Sequence, residues 1–374
     1  MILPTIYDLS LDELTARLAE WGEPSYRARQ LWQWLYKRLA VSFDEMTDLP
    51  APLRARLAAE FRIASLEEAV LLRSADGSTR KALLRLGDGQ TIETVLMQYD
   101  ESGRGRARNT VCVSTQAGCA MACTFCATGQ QGFVRNLTAG EIAGQVLHMA
   151  RALREEGDHV TNVVFMGMGE PLANYEQTIK AIRALAHPSG LNLGQRHMTL
   201  STVGLVPMIR RLAAEGLQVG LAISLHTPDD EQRRRLVPTA RNTVREILAA
   251  ARDWSEATGR RFSVEYALID RQNDHPGQAG ELADLLAEFP CHVNLIPVNP
   301  TANTETRRSR RPRVLAFQRT LQERGINATV RAEKGVDIAA GCGQLRGEVE
   351  GRRGGPAVSP PLVDGALVAA PAIG

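Results

Sequence analysis

A chain of 374 residues can bury one sizeable catalytic domain and a smaller one. Its 44% hydrophobic and 23% charged residues are ordinary globular values, and no run approaches the roughly 18 apolar residues of a membrane span. The net charge of +2, from 44 basic and 42 acidic side chains, excludes no class of partner, whereas six cysteines with none in the first hundred residues exclude a disulfide scaffold. The opening MILPTIYDLSLDEL has early acidic residues and no basic n-region, so the expected location is cytoplasmic, with no membrane partner.

Residues 1–60 read as a helical accessory domain, with Leu31, Leu35 and Leu39 at helical spacing and Pro50 and Pro52 punctuating its end. In SYRARQLWQWLYKRL, Arg27, Arg29, Lys37 and Arg38 alternate with Trp32, Trp34 and Tyr36. Such a stretch either grips RNA, with phosphates on the cations and bases on the rings, or is an amphipathic helix with its aromatics in the core. Residues 61–104 hold two Asp-Gly turn signals between apolar runs, the pattern of a small β-meander or linker.

From 105 to 350 the pattern becomes strand–helix alternation. Strand candidates are TVCVST, NVVFMGMG, HMTLSTVG, VGLAISLH, FSVEYALI and HVNLIPVN, with NATVRAE last. Between them lie helices, one opened by the capping-box spacing of Thr138 and Glu141, others carrying Leu282, Leu285, Leu286 and Phe289, or Val314, Phe317 and Leu321. Strands too apolar to face water imply a parallel sheet covered by helices. The expected α/β fold is a partial, TIM-like (β/α)6 barrel with its active site at the strand C-terminal ends. Residues 351–374, rich in Gly, Pro and Ala, are expected to be a disordered tail.

The stretch CAMACTFC places Cys119, Cys123 and Cys126 directly after the first barrel strand. A structural zinc site closes its tetrahedron with four ligands, and ferredoxin cubanes use four cysteines. Three thiolates leave one position open for chemistry. The alternative is a zinc site completed by a distant histidine such as His148 or His226.

This cysteine spacing after the first strand of a partial barrel resembles the signature of the radical S-adenosylmethionine enzymes. Further motifs narrow the resemblance: VCVSTQAGCAMACTFCATGQQGFVRNLTAGEI, NVVFMGMGEPLANY, TLSTVGLVPMI, AISLHTPDDEQRRRLVP, LIPVNP and GCGQLRG. Together, in this order and across residues 5–350, they resemble the RlmN family, which methylates carbon 2 of adenine 2503 in 23S rRNA and of adenine 37 in tRNA. Cfr-type enzymes, which methylate carbon 8 of the same rRNA adenine, are the second reading. Pro171, the GQQGF after the cysteines and the basic N-terminal region fit the carbon-2 branch better. A non-catalytic zinc or iron–sulfur RNA-binding module is the third, and it leaves GMGEP and GCGQL unexplained.

The resemblance implies roles residue by residue. Cys119, Cys123 and Cys126 match the ligands of a 4Fe-4S cluster whose remaining iron is chelated by S-adenosylmethionine, two molecules of which are used per turnover. Gly169, Glu170, Ser201, Ser224, Leu225, His226 and Asn299 match contacts to that cofactor. Cys342 matches the thiolate that first takes the methyl group by displacement at sulfur, since carbon 2 of adenine has no lone pair for a direct attack. Glu93 matches the base that removes the ring proton, and Cys112 the thiol that releases the product by forming a disulfide with Cys342. Cys291 is expected to be a small buried hydrophobe. An electron donor such as flavodoxin or ferredoxin is implied, and a monomer is expected.

RNA also needs cations near the barrel mouth. Candidates are Arg104, Arg106 and Arg108, then Arg233, Arg234 and Arg235, then Arg307, Arg308, Arg310, Arg311 and Arg313. The competing reading is a set of solvated charge runs.

Overall fold

The computed structural model describes residues 3–63, 66–99, 107–299, 301, 306–332, 334–347, 362–363 and 366–367. Three helices come first: α1 (Leu11–Glu20), α2 (Tyr26–Tyr36) and α3 (Ala51–Glu60). Ser10 and Glu13 cap α1 reciprocally. Helix α2 buries Leu31, Trp32, Leu35 and Tyr36, and Trp32 stacks on Tyr36 with centroids 4.3 Å apart. These rings belong to the core, not to an RNA platform, while Arg38 covers the half-buried Trp34 at 4.1 Å. Leu39 falls beyond the helix at φ 56°, so the leucine periodicity overruns it by one turn. Pro50 and Pro52 open α3 instead of closing the domain, because a first-turn proline lacks only an N–H that would be unpaired anyway.

Strands β1 (Glu67–Arg73), β2 (Thr79–Arg85) and β3 (Thr91–Tyr99) form an antiparallel meander that β4 (Arg108–Cys112) joins. A hairpin of β5 (Gln116–Gly118) and β6 (Phe133–Asn136) brackets α4 (Ala127–Gln131). The remaining elements alternate: α5 (Ala139–Glu155), β7 (Asn162–Phe165), α6 (Tyr175–Ala186), β8 (Met198–Thr202), α7 (Val206–Ala214), β9 (Gly220–Ser224), α8 (Asp230–Leu236), α9 (Val244–Thr258), β10 (Phe262–Leu268), α10 (Pro276–Leu286), β11 (Cys291–Pro297), α11 (Arg311–Glu323) and β12 (Ala328–Val330). In the tail, β13 (Leu362–Val363) pairs antiparallel with β14 (Ala366–Leu367).

The sheet runs β1-β2-β3-β4-β7-β8-β9-β10-β11-β12, parallel from β4 onward. Helices make every parallel crossover, as parallel strands require. Because β1 and β12 stand at opposite ends of a linear order, the barrel stays open. The three meander strands are hydrogen-bonded into that same sheet. Helix α5 begins with the Thr138–Glu141 capping box and buries Ile142, Val146, Met149 and Leu153. The barrel interior is polar low down, where Thr110, Asn162, Thr199, Ser263 and Asn294 line a cavity of about 360 Å³. Among the described residues no helix is long and apolar enough to cross a membrane.

Candidate active site

The cysteine loop is shaped by glycines and by the β5–β6 hairpin. Gly118 turns at φ +74°, and a Cβ there would lie 2.0 Å from the Gly132 carbonyl oxygen. Immediately after it the Cys119 N–H donates to that same carbonyl at 2.8 Å. The N–H of Cys126 returns to the Cys123 carbonyl, and α4 packs so close that a Cβ on Gly129 would stand 2.7 Å from the Cys123 nitrogen. The loop is therefore folded tightly, with its thiols carried on constrained backbone.

All three cysteines line a cavity of about 170 Å³ at the C-terminal ends of the strands. Gly169, Glu170, Ser201, Ser224, His226 and Cys342 line it too, so six expected residues from four separate segments meet the cysteine loop there. Burial pushes each cluster thiol up, and the neighbouring cysteines add to the effect. Metal binding must therefore release protons. Among the described residues no three Cys, His, Asp or Glu side chains gather tightly enough for a single ion. His148 does not help close a zinc tetrahedron: it lies on α5, paired with Glu68 at 2.8 Å. His226 is buried, held neutral at about 3 by desolvation and by the Arg233 charge, and accepts from the Ala267 N–H.

Glu170 is buried, which pushes its carboxyl up to about 7 even though the N–H groups of Val203 and Leu172 donate to it. Gly169 turns at φ +100° against Gln116, whose Cβ would be 2.6 Å from an added Cβ. Ser201 and Ser224 hydroxyls lie 3.1 Å apart. Leu225 and Asn299 do not line the cavity: Leu225 is buried, its N–H donating to Glu265, and Asn299 donates to the Cys342 carbonyl at 3.4 Å.

The loop bearing Cys342 is strapped across the mouth. Its glycines have a packing reason: a Cβ on Gly341 would meet Asn299 Nδ2 at 2.5 Å, and Gly343 turns at φ +78°. Ala127 N–H donates to the Gly343 carbonyl, and the Thr128 hydroxyl to that of Leu345. Cys342 is exposed and Cys112 buried, yet the two sulfurs feel each other's charge, and Arg331 interacts with both. Burial first, then Cys342, pushes the Cys112 thiol up to about 12. Glu93 lies outside the cavity lining. Its Oε1 pairs with Lys81 Nζ at 2.8 Å and its Oε2 accepts from the Arg346 N–H at 2.7 Å. Lys81 also donates to the Ala339 carbonyl, tying the Lys81–Glu93 pair to the Cys342 loop. Cys291 is half-buried, its thiol pushed up to about 11 by burial.

The family model described as the ribosomal RNA large subunit methyltransferase N-terminal domain matches residues 5–63, and the radical SAM superfamily model matches residues 113–286. A ribosomal RNA large subunit methyltransferase N from Nitrosopumilus maritimus is 48% identical over 92% of this chain and 99% of its own. A probable dual-specificity RNA methyltransferase RlmN from Chloroflexus aurantiacus is 51% identical over 91% and 92%. The chain belongs to the RlmN family. A solved radical SAM methyltransferase from Sphaerobacter thermophilus is 51% identical, covers 92% of this chain and all of its own, and superposes with a TM-score of 0.88.

Membership makes the chain a radical S-adenosylmethionine methyltransferase, with a 4Fe-4S cluster and S-adenosylmethionine as its cofactors. The three-cysteine cavity fits such a cluster. Sequence reasoning passed over Arg331, Lys81 and Glu265. Each is a charge inside a strand or at its end, where alternation marks it as facing solvent and only the assembled sheet reveals otherwise.

The arginine runs need correction at one position. Arg233 is buried beneath the cluster loop, its guanidinium donating to the Val203 and Ser224 carbonyls, so it reaches no RNA phosphate. Desolvation lowers it to about 10, and the charges of Cys123 and Asp230 oppose that shift. Arg234 and Arg235 are exposed, Arg235 pairing with Glu231. Arg108 covers Tyr99 at 4.3 Å, and Arg313 pairs with Asp274 at 2.8 Å. Arg104 and Arg106 lie outside the described residues. Arg307, Arg308, Arg310 and Arg311 are exposed at the N-terminal approach to α11.

Proposed function

We propose that this chain methylates carbon 2 of adenine in large-subunit ribosomal RNA at position 2503, and in tRNA at position 37, through a methyl group carried on Cys342. The observation that supports it most is the shared cavity: Cys119, Cys123, Cys126, Glu170 and Cys342 open onto the same space, and the buried Cys112 lies within range of the Cys342 charge. The names of the relatives favour this reading over carbon-8 chemistry.

Cys119, Cys123 and Cys126 would hold the cluster, which when bound supplies one electron to S-adenosylmethionine. Glu170 and Gly169 would take the amino end of that cofactor and Ser201, Ser224 and His226 its remainder, while Leu225 and Asn299, off the cavity lining, hold the backbone beside it. Cys342 attacks the methyl sulfonium as a thiolate, with the fixed positive charge of Arg331 nearby, and S-adenosylhomocysteine leaves. The S-methyl would give up one hydrogen to the adenosyl fragment of a second, one-electron-cleaved S-adenosylmethionine and bond to the ring. Glu93 would then take the ring proton as the ring returns one electron to the cluster, for which Glu93 must exchange its bond with Lys81 or Arg346 for one with substrate. Cys112 then attacks Cys342, forming a disulfide and freeing the methylated base. A flavodoxin- or ferredoxin-type protein supplies electrons, and the enzyme works as a cytoplasmic monomer.

The test is anaerobic reconstitution, then S-adenosylmethionine with a deuterated methyl group, reductant and an rRNA fragment. Cys342 should be methylated before reductant is added, and the product methyl should lack one original deuterium. A methyl transferred whole would exclude this route. Cys342→Ala should stop turnover, and Cys112→Ala should leave RNA bonded to protein.

A further inference from the structure

Strand β10 carries a carboxylate into the barrel that the steps above leave unused. Glu265 is 4% exposed, and it lines both the cluster cavity and the polar cavity beneath. Its Oε1 accepts from Ser263 Oγ at 2.8 Å and from Asn294 Nδ2 at 2.9 Å. Asn294 is itself fixed, its Oδ1 accepting from Thr329 Oγ1 at 3.0 Å. The other oxygen, Oε2, is buried with no hydrogen-bond partner among the described residues. The charge of Arg331, which lines both cavities as well, offsets that of the carboxylate, but the buried Oε2 still lacks a hydrogen bond, which is costly unless a ligand supplies one.

The surroundings indicate which ligand group does so. Ser224 stands opposite Glu265 in the β9–β10 register, and its hydroxyl meets that of Ser201, so this level of the cavity is polar. On the same wall Ala267, Ile296 and Val298 make an apolar level. We propose that Glu265 Oε2 accepts a hydrogen bond from a ribose hydroxyl of S-adenosylmethionine and so selects for the intact sugar. This inference rests on the radical S-adenosylmethionine reading above. The amino group is accounted for at Glu170, just beyond β7 and three strands away in the sheet, and the adenine ring suits the apolar level. The sugar diol is the donor pair that remains, and hydroxyl-to-carboxylate bonds are short and charge-assisted.

The test is calorimetric titration of the cluster-loaded enzyme with S-adenosylhomocysteine and its 2′-deoxy and 3′-deoxy analogues, with iron content checked for each variant. Glu265→Gln and Glu265→Ala should weaken binding of the natural ligand about 10- to 100-fold. One deoxy analogue should lose a similar factor on the wild-type enzyme, and less than about twofold further on Glu265→Ala. Variants that bind within about twofold of wild type would overturn the proposal, as would a deoxy penalty of equal size with and without the carboxylate. If the variants load no cluster, the wild-type arm still decides: two deoxy analogues that bind as well as the parent refute it. A wild-type enzyme that binds no S-adenosylhomocysteine refutes instead the cofactor reading beneath it.

Discussion

Cys112 and Cys342 are the same residue type in opposite circumstances, and that difference is measurable. Cys112 sits within β4 and is pushed up to about 12, chiefly by burial and then by the Cys342 charge, so it is a thiol across the working range. Cys342 is exposed on its glycine-flanked loop. Alkylation needs a thiolate that reagent can reach. Brief iodoacetamide treatment of the cluster-loaded enzyme at pH 8 should therefore label Cys342 and spare Cys112, as read by peptide mass spectrometry. A raised thiol pKa means that ionisation comes only as pH climbs toward that value, so Cys112 labelling should stay low from pH 7 to 9 and become extensive only after denaturation. Equal labelling at pH 8 would refute the buried position. Sequence made these two cysteines legible only through resemblance, because a cysteine in a strand is ordinarily a small hydrophobe. Arg331 escaped notice for a related reason: one arginine in NATVRAE is unremarkable until β12 is laid beside β11 and its side chain enters the cavity.

At the level of elements, the site depends on how α4 and the meander press on two loops. Helix α4 leaves no room at Gly129, so Gly129→Ala must push the Cys123 backbone by several tenths of an ångström. The expected variant folds normally but holds markedly less iron after reconstitution; full iron content would show that the loop can give way without loss. The meander acts through the Lys81–Glu93 pair, both partners nearly buried. Lys81→Met strands a carboxylate and should destabilise the cluster-free protein by about 3–5 kcal/mol in urea denaturation. Adding Glu93→Gln to it should recover much of that loss, because the stranded charge is gone. Additive losses would mean that the two side chains are not coupled. The seven parallel strands, their helices and the α5 capping box could be read from hydrophobic period and capping residues. The β5–β6 hairpin could not, since β5 spans only three residues inside a glycine-rich loop, nor could the strap from Lys81 to Ala339, whose partners stand 258 residues apart.

For the molecule as a whole, the question is how a chain of net charge +2 holds a polyanion. The answer must lie in placement. The segments after β9 and β11 leave the same end of the barrel as the cysteine loop, and they expose Arg234 on the short helix α8 and Arg307 and Arg310 before α11. The aromatic helix α2 contributes less than its sequence suggests, since Trp32 and Tyr36 are core and Arg27 is engaged by Glu23 and the Asp48 carbonyl. Phosphate contacts are independent of sequence and release counterions, about 0.7–0.9 in the logarithmic salt slope for each one. Replacing Arg234, Arg307 and Arg310 together by glutamine should therefore weaken binding of an rRNA fragment and of tRNA by similar factors, and lower the salt slope by about 2–3 for both. The Cys342 methylation proposed above, assayed without RNA, should continue at the wild-type rate in the same variant. A variant with an unchanged slope would move the RNA surface elsewhere, and one that lost Cys342 methylation as well would show that these arginines support the barrel itself.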